Sequence, residues 1–322
     1  MSDSRAIPHS FFLLPVVGLM VAAFGAGAAA AAEMVVLDTE NSTIRYPAEK
    51  EKLARALGEV FESGMKIVAD DLGTPQRRVT IYVYATKEDM AEGAVTILGR
   101  TPAEARAIAR AGMSDRDRDA ILVIGSADKW SKDFLRHAVA HEHAHGMTTA
   151  RFGPALADRV RWTFEGLGEY EGLRALAAHS PASARIYRTA RLKSAFKALV
   201  MGRLPRLEAI AGRAAWFANI NTDIGKWDRQ YACAYAAMDY AIRKYGFRKV
   251  GAMLTQAGGG VPIGAAMSDV LGVSPLGFEA GFWAWLAAVG FLKLFPLYTA
   301  ALVAVAASLA AGLLAWRRRR SA

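Results

Sequence analysis

Cysteine is almost missing from these 322 residues: Cys233 stands alone, which excludes an internal disulfide framework and any cysteine-built zinc cluster. Charge is also sparse, at 22% of residues against 53% hydrophobic, a balance that excludes an intrinsically disordered chain. The formal net charge is +10, but four of the positive charges are the run Arg317 to Arg320. The remainder is dispersed, with no basic block interleaved with aromatics, so nucleic acid is not an expected partner. No internal repeat and no calcium loop occurs. The triplet Gly258-Gly259-Gly260 has neither a strand before it nor a lysine after it, so it reads as a turn and not as a phosphate loop.

What the chain does have is two long uncharged runs. Phe11 to Ala32 carries no charge over 22 residues, follows Arg5 and ends in an alanine run that includes Ala29 to Ala32 before Glu33. That pattern predicts an export signal with a small-residue cleavage site, or an uncleaved anchor in view of its length. Leu294 to Trp316 is uncharged over 23 residues, enough to cross a hydrocarbon core of about 30 Å at about 1.5 Å per residue. Lys293 precedes it and Arg317 to Arg320 follow it, which places the C-terminus in the cytoplasm and residues 33 to 290 outside. The expected organisation is a signal or anchor over 1–32, an extracytoplasmic domain over 33–290, a membrane helix over 294–316 and a basic tail over 317–322.

Within the body, Val35–Leu37 and Thr43–Tyr46 flank the turn residues Asn41-Ser42 and predict a hairpin. Leu53, Leu57, Val60, Phe61, Met65, Val68 and Leu72 recur at three- and four-residue steps, predicting one amphipathic helix that ends at Gly73. Val79, Ile81 and Val83 alternate with polar partners as in a strand, and Ala120 to Ile124 suits a buried strand. Lys87 to Gly112 is helical in propensity without a clear face. From Ser131 onward only helices are expected: 131–148, 164–179, 183–201, 229–245, 247–257, 263–271 and 275–290. A small mixed sheet with helices followed by a helical half is the α+β class.

The chemistry concentrates in His141, Glu142 and His145, an H-E-x-x-H sequence inside the predicted helix from Ser131. Four residues is about one helical turn, so both imidazoles leave the same face and can grip one metal ion. Neutral imidazole suits zinc, and a carboxylate beside the ion's open position can take a proton from water attacking a carbonyl. A third ligand is needed. After 19 intervening residues, Trp162-Thr163-Phe164-Glu165-Gly166-Leu167-Gly168-Glu169-Tyr170 offers Glu165, and a returning helix could bring it beside the histidines.

These two segments, H-E-H-A-H and W-T-F-E-G-L-G-E-Y, together resemble the gluzincin metallopeptidases, and within them the bacterial peptidase-MA-like group. The resemblance extends over most of residues 40 to 290. It implies a zincin-like domain with Zn2+ held by His141, His145 and Glu165, and Glu142 as general base and acid. Gly168 departs from the alanine common in the family. The resemblance also implies an edge strand that pairs with extended substrate, here within Gly112 to Ile124, and a hydrogen-bond donor for the developing oxyanion, for which Tyr231 is the candidate. Tyr231 also has the helical spacing of a core residue, with Tyr235, Met238 and Ile242. Glu169 is either a partner of a ligand histidine or an exposed carboxylate. His137 reads as a neighbour supporting that face and His143 as solvent-facing or packed. Cys233 reads as a buried apolar residue, and Trp283 and Trp285 as packing of the last helix near the membrane.

The reading is a zinc metallopeptidase tethered to the cytoplasmic membrane by its C-terminal helix and acting on an extracytoplasmic peptide or protein. The alternative is a non-catalytic pseudopeptidase that uses the same domain to bind a peptide or protein. An integral membrane protease is disfavoured because no apolar span adjoins His141.

Overall fold

The computed structural model describes residues 34–111, 113–115, 119–218 and 223–294, together with 303–305, 307–311 and 316–317 near the C-terminus. The chain divides into Met1–Ala32 and Glu33–Ala322, and every described residue belongs to the second unit. The expected export segment Phe11 to Ala32 thus lies outside the described residues, as does most of the expected span Leu294 to Trp316.

The predicted hairpin is present as β1 (Met34–Asp38) and β2 (Ser42–Pro47), paired antiparallel with Leu37 opposite Ile44. It leads into α1 (Glu51–Leu72), whose terminus is Gly73 at φ 58, a left-handed position that glycine accepts without a Cβ penalty. β3 (Val79–Tyr84) and β5 (Ala120–Ile124) continue the sheet in parallel with β2. Between them the irregular stretch resolves into two helices, α2 (Lys87–Thr96) and α3 (Pro102–Ala111). Gly99 at φ 63 breaks the chain between them, and a reciprocal cap starts α3: Glu104 N–H donates to Thr101 Oγ1 at 3.3 Å and Thr101 N–H to Glu104 Oε2 at 3.1 Å. A short strand that periodicity does not reveal, β4 (Met113–Asp115), pairs antiparallel with β5. The sheet order is β1-β2-β3-β5-β4, which puts β4 at one edge.

The buried face of α1 covers one side of the sheet, with Leu57, Phe61 and Met65 against Ile44, Ile81, Ile121 and Val123. Met90, Leu98 and Ile108 cover the other side, against Leu122 and Ile124. Because both faces are covered, β5 is buried at every residue, which accounts for its unbroken apolar run.

All elements after β5 are helical among the described residues. They are α4 (Lys132–Phe152), α5 (Ala155–Arg159), α6 (Arg161–His179), α7 (Pro181–Val200), α8 (Arg213–Ala218), α9 (Ile224–Tyr245), α10 (Phe247–Gly258), α11 (Ile263–Ala266) and α12 (Pro275–Val289). The expected helix 263–271 divides, its second half Met267–Leu271 being a π turn that ends at Gly272. α9 begins five residues earlier than its apolar period suggests, because the Asp223 side chain accepts from Lys226 N–H at 2.9 Å and caps it. One apolar core joins these helices, including Trp162, Leu167, Trp216, Tyr235, Met238 and Phe278. The fold is therefore α+β, a small mixed sheet followed by a helical half. Pro275–Leu292 is long and apolar enough to cross a membrane by length and composition, and about a quarter of it is buried.

Candidate metal centre

Ser131 fixes the start of α4 by accepting from Phe134 N–H at 3.1 Å. From that start, His137, His141 and His145 fall at four-residue steps along one face, and all three are buried. His143 points the other way, edge-on to Phe61 of α1 at 5.2 Å between ring centres. Burial holds its imidazole down at about 4, so it is a neutral packed residue.

α6 lies against this histidine face, and its glycines set the distance. A Cβ on Gly168 would stand 2.9 Å from His145 Cε1 and 3.1 Å from His141 Cε1, and one on Gly172 would stand 2.7 Å from the His137 carbonyl oxygen. On the opposite side, a Cβ on Gly166 would meet the Ala234 carbonyl oxygen of α9 at 2.4 Å. α6 is thus a thin slab between α4 and α9. Gly168 is the contact that lets α4 and α6 close on each other.

This approach brings Glu165 under the two imidazoles. Its Oε2 lies 3.4 Å from His141 Nε2 and 3.4 Å from His145 Nε2. The three residues are buried, and their ligand atoms fall within 4.8 Å of one another. Glu165 Oε1 is 2.5 Å from the Arg161 guanidinium, one turn earlier on α6. Its other oxygen, Oε2, is buried without a hydrogen-bond partner, an expensive arrangement for a carboxylate unless a cation belongs there. Ligands about 2.1 Å from a shared centre stand about 3.4 Å apart in a tetrahedron. The two carboxylate–imidazole separations match that figure, and the donor set suits a divalent metal ion.

Without an ion the cluster holds a proton on His141, which metal binding would displace. Burial would lower His141, but the Glu165, Glu142 and Glu169 carboxylates outweigh it and raise the imidazole to about 9. For His145 burial dominates and its value falls. Burial would raise Glu165, yet Arg161 and the two histidines hold it well below the usual carboxylate range, so it stays ionised. His145 is further fixed by a face-to-face stack on Phe164, with ring centres 4.1 Å apart.

Glu169 is buried, which decides between its two readings. Arg191 donates to both of its oxygens, Nε to Oε2 at 3.0 Å and a terminal nitrogen to Oε1 at 2.9 Å. Glu169 Oε1 is 3.7 Å from His141 Nδ1, and Oε2 is 3.6 Å from His137 Nε2. Arg191 also donates to Asp228 at 3.0 Å. Sequence reasoning missed Arg161, Arg191 and Asp228. Arg161 carries the i, i+4 signal relative to Glu165, whereas Arg191 sits on α7 with no local clue.

A cleft of about 210 Å³ opens over His141 and Glu142. His145 and Glu165 lie behind it, while Trp130, Phe134 and Trp227 form apolar walls, and Arg191 and Asp228 a charged rim. Glu142 is half-buried on the cleft side. Tyr231 also lines it, its ring 6.2 Å from that of His141 and 4.8 Å from Trp227. Tyr231 stands two turns into α9. Burial raises its phenol well above the ordinary value, so the hydroxyl keeps its proton and can donate it. Cys233 is buried, as expected, and Trp285 packs on Tyr240 at 5.7 Å.

No protein family matches this chain, and no curated protein matches it.

Proposed function

We propose that this protein is a zinc-dependent metallopeptidase of the gluzincin type, resembling the peptidase-MA-like group, held at the membrane by its C-terminal apolar segment with the peptidase domain outside. The observation that carries this reading is the convergence of His141 Nε2, His145 Nε2 and the unpartnered Glu165 Oε2, with Glu142 one residue away on an open cleft. His141, His145 and Glu165 would hold the ion, which when bound supplies Lewis acidity to a carbonyl and to water.

The chain's own residues do the rest. Glu142 accepts the proton of the attacking water at its carboxylate and returns it to the leaving nitrogen. The Tyr231 hydroxyl donates to the oxygen on which negative charge develops. Arg161 keeps Glu165 ionised through Oε1, leaving Oε2 directed at the histidines. Glu169, clamped by Arg191, sets the far side of the His141 ring. Trp130, Phe134 and Trp227 would exclude water and offer apolar contact to a peptide side chain, and β4, at the end of the sheet order, is the strand that would pair with an extended backbone.

The test uses the full chain in detergent. Metal stoichiometry is measured, and the protein and its Glu142→Gln variant are incubated with a mixed peptide library read by mass spectrometry. Cleavage that disappears in Glu142→Gln while zinc content is retained supports the assignment. Bound zinc with peptide binding and no cleavage would replace it with the non-catalytic reading, and cleavage that survives Glu142→Gln would sink the proton-transfer role.

A further inference from the structure

Most long helices here keep their charges outside. α1 exposes Glu51, Lys52 and Arg55, and α10 exposes Arg248 and Lys249, as helices on an aqueous surface do. α12 inverts that order. Between Pro275 and Leu292 the only charged residue is Glu279, and it points inward. It is 6% exposed, accepts from Leu207 N–H at 2.7 Å and is 3.2 Å from Arg206. Phe278, Phe282 and Leu286 are fully buried beside it. Leu276, Ala280, Ala284 and Ala288 of α12 and Leu292 of the π turn after it (Gly290–Leu294) are all exposed and form one inclined row of four-residue steps. Leu276 and Leu292, at the two ends, are 68% and 66% exposed.

This uncharged face is exposed, and the sequence that follows it points to a cover. After Leu292 and the single residue Lys293 begins the uncharged run Leu294 to Trp316, with Arg317 to Arg320 behind it. If that run crosses the bilayer, the C-terminal end of α12 stands at the lipid surface. α12 cannot enter the hydrocarbon as a span, because Phe278, Phe282 and Leu286 are built into the core of the domain. It can, however, lie along the interface with its outer row among the acyl chains, over about 22 Å for 15 residues.

Resting on the membrane tether proposed above, we infer that the outer row of α12 is a lipid-docking surface that holds the domain flat against the bilayer. The C-terminal segment is then a tether to a domain already seated on the membrane, and not a flexible leash.

The inference is tested on the full chain in vesicles of phosphatidylcholine and phosphatidylglycerol. In a Cys233→Ala background, nitroxide labels are placed by Ala280→Cys, Ala284→Cys, Ala288→Cys and, as a water-facing control on α7, Ile186→Cys. Flotation of the vesicles is measured first, then collision of each label with oxygen and with a water-soluble nickel chelate. At 280, 284 and 288 the oxygen-to-nickel ratio is expected to be about tenfold above that at 186. Flotation together with ratios equal to the control would overturn the docking face and leave the tether standing. Low collision with both reagents would also overturn it, pointing to a second copy of the chain or residues 1–33 as the cover. Failure to float would remove the tether and the docking face together.

Discussion

Glu165 divides its two oxygens between two tasks: Oε1 is tied to Arg161, and Oε2 faces two imidazole nitrogens at 3.4 Å without a hydrogen bond. Replacing Glu165 with Gln keeps the volume and removes the charge. Metal affinity is expected to fall by about 100-fold or more, measured by competition with a chelating dye. Tyr231 makes a separable contribution. If its hydroxyl meets the developing oxyanion, Tyr231→Phe lowers kcat by about 10²- to 10³-fold with KM little changed; a packing role would leave kcat intact. Away from the cleft, Glu171 is fully buried on α6. Burial first, and the neighbouring Asp71 carboxylate second, hold its carboxyl well above the ordinary value. The folded state therefore binds this proton more tightly than the unfolded chain does. The stability it lends is present below the unfolded value near 4.5 and is lost as pH rises towards the folded value. Relative to Glu171→Gln, the native protein is expected to lose about 1.4 kcal/mol per pH unit above that point. Urea unfolding of both proteins at pH 5 and pH 8 reads the difference; an equal gap at both values would refute it.

At the scale of elements, α6 is held between α4 and α9 by missing side chains more than by large ones. The obstacle to a Cβ at Gly166 is the Ala234 carbonyl, backbone that cannot rotate aside. Gly166→Ala is expected to destabilise the protein by about 1–3 kcal/mol and to weaken metal binding as well, because α6 would have to move away from α9. Chemical unfolding and metal titration of the variant check both. The elements themselves were largely legible along the chain. The apolar period of α1, its stop at Gly73 and the cap at Ser131 all act over three or four residues and need no tertiary information. β4 was hidden because a three-residue strand leaves no period to read, and the start of α9 because Asp223 stands ahead of its apolar face. Glycine is a poor helix former, and nothing local explains three of them in α6. Their purpose is visible only with α4 and α9 in place.

For the whole molecule, the candidate metal centre sits at the junction of the two helices that organise the helical half, with the sheet and α1 behind α4. An ion bound there but not by the unfolded chain stabilises the fold, by about 2.7 kcal/mol when the free ion is at about 100 times Kd. Zinc is expected to raise the Tm of the chelator-treated protein, and the increment should vanish in Glu165→Gln. The same increment in both proteins would place the ion elsewhere. By itself the sequence determined the α+β order, the helix faces, the shared face of His141 and His145 and the apolar runs near both ends, because periodicity, capping and hydropathy are local. Only the tertiary structure decided how closely α6 approaches α4, which oxygen of Glu165 meets the histidines, and that Arg191 clamps Glu169. It also decided that α12 turns its one charge inward. Side chains distant along the chain acquire definite separations only when packing removes the alternatives.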